Sequence, residues 1–485
     1  MKLADYVNHD ALALGDLVRT GTVSAHHLAN CAAEAIRLLN RDLNAVRDVY
    51  EDAVDAPDIE PIGPFAGVPF LLKDLSATQA GRVRESGSLM LKNYVAAADS
   101  EIVARMRASG LNLMGRTASP EFGWSASTES RLSGITRNPW NLARSAGGSS
   151  GGAAAAVAAG IVPIAHASDG SGSIRNPAGW CGLVGLKPSR GRISPSPGLG
   201  MPPGGRPVQF TVSRSLRDSA AALDAWAGPV PGDPFAIAPL PGPCLTACTA
   251  PPNRLRIAMS VEAPNGTPVE ADVERAVSQT ARTLENMGHD IVEAAPNYDW
   301  GALVDAILIT AAAGIALRVD DIARMTGQTP SPDLLHHTTF ETYRFGRSIP
   351  ATELIAAMAH LDMVSRQVAP FFADHDLFLT PTSVRTAPPH GTHDADIEGL
   401  RPREWSDVIH NEDCFLLLAN VTGQPAISLP LAESNDGLPI GIHLEAGFGR
   451  EDLLFQVAGQ LEQAVPWAAR RPEAHLTTAL AREIA

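Results

Sequence analysis

The chain reads as an α/β protein: a large mixed β-sheet covered by helices on both faces, folded as one domain over residues 1–485. Three observations predict this. Short apolar runs of strand length alternate with helical periodicity from end to end. Between 255 and 294 the pattern is strand (255–260), helix (269–287), strand (291–294), the unit of a sheet with crossover helices. No self-similarity at solenoid periods interrupts that alternation.

In order along the chain, residues 9–50 give two helices and a strand. Ser24 caps the second helix, and Leu28, Ala32, Ala35, Ile36 and Leu39 form its apolar face. Residues 44–50 are extended, and 54–64 are polar and proline-bearing, hence loop. Residues 68–72 are a short apolar strand that delivers Lys73 at its end. A helix over 100–109, with Ile102, Val103 and Met106 inward, stops at Gly110 and leads to a strand at 111–114. A loop over 116–130 holds Pro120-Glu121-Phe122-Gly123-Trp124. The proline- and glycine-rich stretches 195–207 and 228–252 read as irregular connections. In the helix at 269–287, Val273, Val277, Leu284 and Met287 form the buried stripe. Long helices at 303–325 and 352–372 follow, with polar His336-His337 between them. Late strands at 377–379, 426–429 and 440–444, and an amphipathic helix at 451–465, complete the pattern.

The densest signal lies between 145 and 192. Gly147-Gly148-Ser149-Ser150-Gly151-Gly152 opens into an alanine helix at 153–159, ended by Gly160. A buried strand at 161–167 then runs into Ser168-Asp169-Gly170-Ser171-Gly172-Ser173, a turn able to approach a ligand and aim amide N–H groups at it. Glycine-rich turns before helices often bind phosphate. Here the phosphate-loop pattern lacks its lysine, and neither loop has the strand–G-x-G-x-x-G–helix context of a dinucleotide fold. A mere packing turn would explain the glycines but not the hydroxyls, nor Asp169 and Arg175 beside them.

GGSSGG, D-G-S-G-S-I-R and G-L-K-P-S-R-G-R-I-S, together with Gly67-Val68-Pro69-Phe70-Leu71-Leu72-Lys73-Asp74, resemble the signature segments of the amidase signature family of serine hydrolases. Asn138-Pro139-Trp140-Asn141, Leu379-Thr380-Pro381-Thr382 and Gly423-Gln424-Pro425-Ala426 extend the likeness over nearly the whole chain, with a signature core over about 62–227 and a substrate-side region over 254–375. Gly441-Ile442-His443-Leu444 and Pro466-Trp467-Ala468-Ala469-Arg470-Arg471-Pro472 are most similar to the 6-aminohexanoate cyclic dimer hydrolase branch. The resemblance implies a large sheet with the signature segment at its core, and carboxamide hydrolysis without metal or organic cofactor.

Residue by residue, it makes Ser173 the nucleophile and Ser149, 24 positions earlier, a proton relay with a cis peptide bond. Lys73 is the base, which requires burial to lower its pKa from the usual ~10.4. A Ser–Lys arrangement suits a chain with no G-x-S-x-G elbow, and His166, inside a strand, reads as a core histidine. Backbone N–H groups of Gly170, Ser171, Gly172 and Ser173 form the expected oxyanion site, where one donor is worth ~3–4 kcal/mol of barrier. Gly123 and Trp124 line the acyl side, with packing an equal alternative for the indole. Ser150, Asp169 and Arg175 support the reacting groups from behind.

Totals bound the rest. A net charge of −15 argues against nucleic acid or an anionic membrane as partner. The five cysteines have no metal spacing and suit a reducing cytoplasm. The first residues carry an acid early and lack an apolar run of signal-peptide length, and the apolar run nearest to membrane length is 153–167. The expected partner is a small-molecule amide, hydrophobic or cyclic/oligomeric, with a homodimer left open. The rival readings are an amidotransferase A-type subunit and a non-catalytic binding protein on the same fold.

Overall fold

The computed structural model describes residues 1–57, 62–196, 205–235 and 237–484. The parts of the expected loops at 58–61, 197–204 and 236 lie outside the described residues.

One sheet of eleven strands carries the fold. Crossing it from edge to edge, the strands are Val46–Val49, Asn112–Thr117, Pro69–Lys73, Ile164–Asp169, Val208–Ser213, Val184–Lys187, Ala426–Glu433, Pro439–Ala446, Leu377–Pro381, Arg256–Met259 and Asp290–Glu293. Pairing is mixed. Pro69–Lys73 runs parallel to both its neighbours, the centre is antiparallel, and the last three strands are again parallel to one another. Successive side chains in a strand point to opposite faces. Every residue of Pro69–Lys73, Asn112–Thr117, Ile164–Asp169, Val184–Lys187, Leu377–Pro381 and Pro439–Ala446 is buried, so both faces are covered. Helices provide the cover, as the fold class requires.

Most elements fall where the periodicity puts them. The helix Ala25–Leu43 starts at Ser24, whose Oγ accepts from His27 N–H (3.1 Å), and Leu28, Ala32, Ala35, Ile36 and Leu39 are buried. Arg256–Met259 and Asp290–Glu293 are parallel, with the helix Ala271–Asn286 between them, its stripe Val273, Val277 and Leu284 buried.

Four differences have physical causes. The strand expected at 161–167 is Ile164–Asp169, because antiparallel pairing with Val208–Ser213 extends the ladder through Ser168 and Asp169. The strands Val184–Lys187 and Val208–Ser213 have no signal strong enough to read; each is secured by its neighbours. The helix His337–Ser348 lies where only paired histidines were visible. Phe340 and Tyr343 pack it against Leu308, Ile315, Val319 and Ile322 of the helix Trp300–Thr326. His336, expected at the surface or as a cap, precedes that helix and is buried, its ring bonded to Arg131 N–H. Among the described residues one helix, Trp300–Thr326, is long and apolar enough by length and composition to cross a membrane, with a mean hydropathy of 1.9 over its best 18 residues, 56% of them buried.

Candidate active site

Lys73 ends a strand whose four preceding residues are buried, and its own side chain is 1% exposed. Alternation along the strand sends Lys73 and Asp74 opposite ways. Asp74 accepts from Glu85 N–H (2.7 Å), Gly87 N–H (3.2 Å) and Arg116 Nη1 (2.9 Å), and Arg116 also pairs with Glu85 and Asp48. Lys73 points instead into a nest of hydroxyls. Its Nζ lies 2.8 Å from Ser149 Oγ, 2.8 Å from Ser150 Oγ and 3.0 Å from Ser168 Oγ. No carboxylate pairs with it among the described residues. Burial pulls its pKa down to about 7 against the opposing field of Asp169.

Ser149 follows a cis Gly148–Ser149 peptide bond. The loop is held by side chains from two other segments. Thr128 Oγ1 donates to Gly147 O (2.8 Å) and accepts from Gly151 N–H (3.0 Å), and Gly148 N–H donates to Asn176 Oδ1 (3.1 Å). Asn176 Nδ2 in turn donates to Asp413 Oδ1 (2.7 Å), a buried carboxyl whose pKa burial and the neighbouring Glu412 push well up. Gly123 packs directly over Ser149. A Cβ at Gly123 would stand 3.1 Å from Ser149 Oγ and 2.7 Å from Leu75 Cδ2, and its φ of 74° is one that side chains resist.

Ser173 belongs to the turn between the strand Ile164–Asp169 and the helix Arg175–Cys181. Asp169, fully buried, fixes that turn. Its carboxylate accepts from Gly172 N–H (2.7 Å), Ile174 N–H (3.2 Å), Arg175 Nε (3.0 Å) and Nη2 (3.1 Å), and Asn420 Nδ2 (2.9 Å). Burial raises its pKa, but Arg175 and Lys187 outweigh that and hold it well below the usual carboxylate range. Arg175 continues to Asn420 Oδ1 (2.6 Å) and His443 Nε2 (3.1 Å). A guanidinium only donates, so His443 Nε2 accepts and its Nδ1–H faces Thr380 Oγ1 at 3.1 Å.

The structure thus gathers Lys73, Ser149 and Ser150 through direct hydrogen bonds, and places Asp169 and Arg175 behind the Ser173 turn. Ser173 is half-buried, and its hydroxyl makes no hydrogen bond among the described residues. One expectation is corrected: Gly172 N–H is committed to Asp169 Oδ1, so it leaves the oxyanion donor set, and Gly170, Ser171 and Ser173 remain as candidates. Trp124 is 9% exposed and packs with Phe122, Leu308 and Trp405; its Nε1–H donates to Thr342 Oγ1 (3.2 Å). The indole therefore has a scaffold partner already. His166 accepts from Lys73 N–H (3.3 Å), and burial and Lys73 push its pKa down to about 3, as a core histidine.

Sequence reasoning missed Ser168, Asn176, Arg206, Asp413, Asn420 and His443. A polar residue in an apolar run was the available signal for Asn420 and His443. Nothing local marks Arg206 or Asp413. Among the described residues, no three His, Cys, Asp or Glu side chains gather as metal ligands.

The fold and signature segments define the class: the chain belongs to the amidase family, whose model matches residues 29–455. It is 38% identical over 477 residues to the 6-aminohexanoate-cyclic-dimer hydrolases of Pseudomonas sp. (strain NK87) and Paenarthrobacter ureafaciens, covering 96% of each chain. A lipoamidase of Enterococcus faecalis is 34% identical over 95% of this chain and 64% of its own. A solved structure of 6-aminohexanoate cyclic dimer hydrolase superposes with a TM-score of 0.91 at 36% identity, over 96% of this chain and 99% of that one. A bacterial aryl acylamidase superposes with 0.85 at 25% identity, over 95% and 99%. The chain is accordingly an amidase-family hydrolase.

Proposed function

We propose that this hydrolase cleaves a carboxamide C–N bond through an acyl-enzyme on Ser173, with Ser149 as relay and Lys73 as base. The observation that carries the reading is the Lys73 amine, buried among hydroxyls and without a carboxylate partner among the described residues. A neutral amine offers two N–H donors and one lone pair. Ser150 already accepts from Ser168 N–H (3.3 Å) and directs its own hydrogen to Ser168 O (3.3 Å). Ser149 is then free to give its proton to Nζ and to take one from Ser173.

The steps balance as follows. Ser173 Oγ bonds to the amide carbon while its proton passes to Ser149 and that of Ser149 to Lys73. Backbone N–H groups of Gly170, Ser171 and Ser173 receive the oxyanion. The proton returns through Ser149 to the nitrogen, the C–N bond breaks and the amine departs. Water, activated along the same path, releases the acid. The missing Ser149–Ser173 hydrogen bond is in keeping with a site that tightens when substrate fills it.

For substrate, the relatives' names favour a small to medium amide, hydrophobic or cyclic/oligomeric. Fluorophosphonate labelling tests the nucleophile: Ser173→Ala loses the adduct and amide turnover, while Ser149→Ala retains slow labelling. The reverse pattern would exchange the two roles.

A further inference from the structure

Beside the Ser173 turn lies a cation that the mechanism does not use. Arg206 is 8% exposed, and its Nη1 reaches Ser171 Oγ (3.2 Å) and Gly170 O (3.5 Å), the two residues that open the turn. Its Nε is buried without a partner. No carboxylate pairs with it among the described residues, and Ser196–Gly205, the segment leading into it, contains no acid. The charged and titratable groups whose fields couple to it are cationic or basic, Arg190 and His410. Burial and then Arg190 pull the Arg206 pKa down to about 10, and burial and then Arg206 push that of His410 down to about 3. The His410 ring lies 6.4 Å from that of Trp124, whose neighbour Gly123 covers Ser149. Arg206 therefore borders the Ser173 turn directly.

A buried guanidinium without a counter-ion is costly, and proteins ordinarily pair such groups. The pairs at Arg116, Arg175 and Arg192 follow that rule in this chain. Arg214, Arg318 and Arg206 have no carboxylate bridge among the described residues, and of the three Arg206 is the one bonded to the Ser173 turn.

We propose that Arg206 is a specificity-determining residue that receives a carboxylate carried by the substrate, so that the preferred amides are amide-acids, such as dicarboxylic monoamides or linear oligomers with a free acid end. This rests on the amidase reading above and narrows its substrate class. Both Nη2 and Nε of Arg206 make no hydrogen bond among the described residues, and a planar carboxylate suits that edge.

The test compares adipic monoamide with hexanamide, which differ mainly in the terminal charge. The wild type should favour the amide-acid in kcat/KM, and Arg206→Ala should lower the acid-to-neutral ratio by about 30- to 5,000-fold, the cost of truncating one side of a buried charge pair. Arg206→Lys, which keeps the charge but not the fork, should recover part of the ratio. In parallel, calorimetry on Ser173→Ala should detect adipate binding that disappears in Ser173→Ala/Arg206→Ala. An equal fall on both amides, with the ratio unchanged, would overturn the proposal and make Arg206 a clamp on the turn. Adipate binding indifferent to Arg206 would also overturn it. The calorimetric arm needs no turnover, so an inactive wild type would refute the amidase mechanism while leaving the Arg206 assignment separately decided.

Discussion

Replacing Lys73 by methionine removes the base and, at the same time, a buried amine that the fold tolerates at a cost. The amine's pKa falls from 10.5 to about 7 on folding, and burial is the cause. At ~1.4 kcal/mol per pH unit, this amounts to about 5 kcal/mol against the folded state while the lysine is protonated. Methionine keeps the bulk without the charge, but three hydroxyls lose a partner at ~1 kcal/mol each. The variant should therefore be more stable near neutral pH, by about 2 kcal/mol.

The sign with pH follows from proton binding. Between about 7 and 10.5 the unfolded chain holds this proton and the folded chain does not, so stability rises with pH across that window. Below about 7 both states are protonated and the full cost stands. Lys187, also lowered to about 7 by burial, keeps its own slope in the variant, so the slope should shrink rather than vanish. Activity should rise with pH in the same sense, because the neutral amine is also the base. Wild-type kcat/KM should climb as pH passes about 7 and then level off, while Lys73→Met should lose 10²–10⁴-fold, as loss of general base catalysis does. Urea melts from pH 6 to 10 and pH–rate profiles on one simple amide decide the matter. Near-native turnover at neutral pH, or an unchanged acid limb in the variant, would refute the lysine-base mechanism.

The other expectations concern the walls of the site. Gly123→Ala should reduce turnover by at least tenfold and lower Tm, because its methyl would crowd Ser149 Oγ at 3.1 Å and Leu75 at 2.7 Å from a backbone at φ 74°; wild-type kinetics would mean that the loop yields freely. Trp124→Ala should destabilise by about 3–5 kcal/mol, the range for emptying a buried indole site. It should also lower kcat/KM for a bulky amide more than for acetamide, and equal losses on the two would assign the indole to the scaffold alone. Chelators should leave activity unchanged, and a loss restored by adding a divalent ion would contradict the proposed mechanism.

What the sequence by itself determined is local in origin. A lysine after four apolar strand residues, two glycine-serine loops flanking an alanine helix, and a strand–helix–strand unit are contiguous patterns, so periodicity and spacing suffice to read them. The roles of Lys73, Ser149 and Ser173 came from the resemblance of those segments to the amidase signature family. Tertiary structure decided everything that depends on distance in space between residues remote in sequence. Only packing shows that Lys73 is 1% exposed and meets three hydroxyls, and so has a reason for its lowered pKa. Only packing brings Asn420 and His443 onto Asp169 and Arg175, and Asp413 onto Asn176 behind the Ser149 loop. It also revises one reading made from motif alone, taking Gly172 N–H into the grip of Asp169, and it gives the Trp124 N–H a partner in Thr342. The physical reason is common to all of these. A hydrogen bond fixes a donor to an acceptor only a few ångströms away, and desolvation depends on every atom surrounding a charge, so neither can be read from neighbours along the chain.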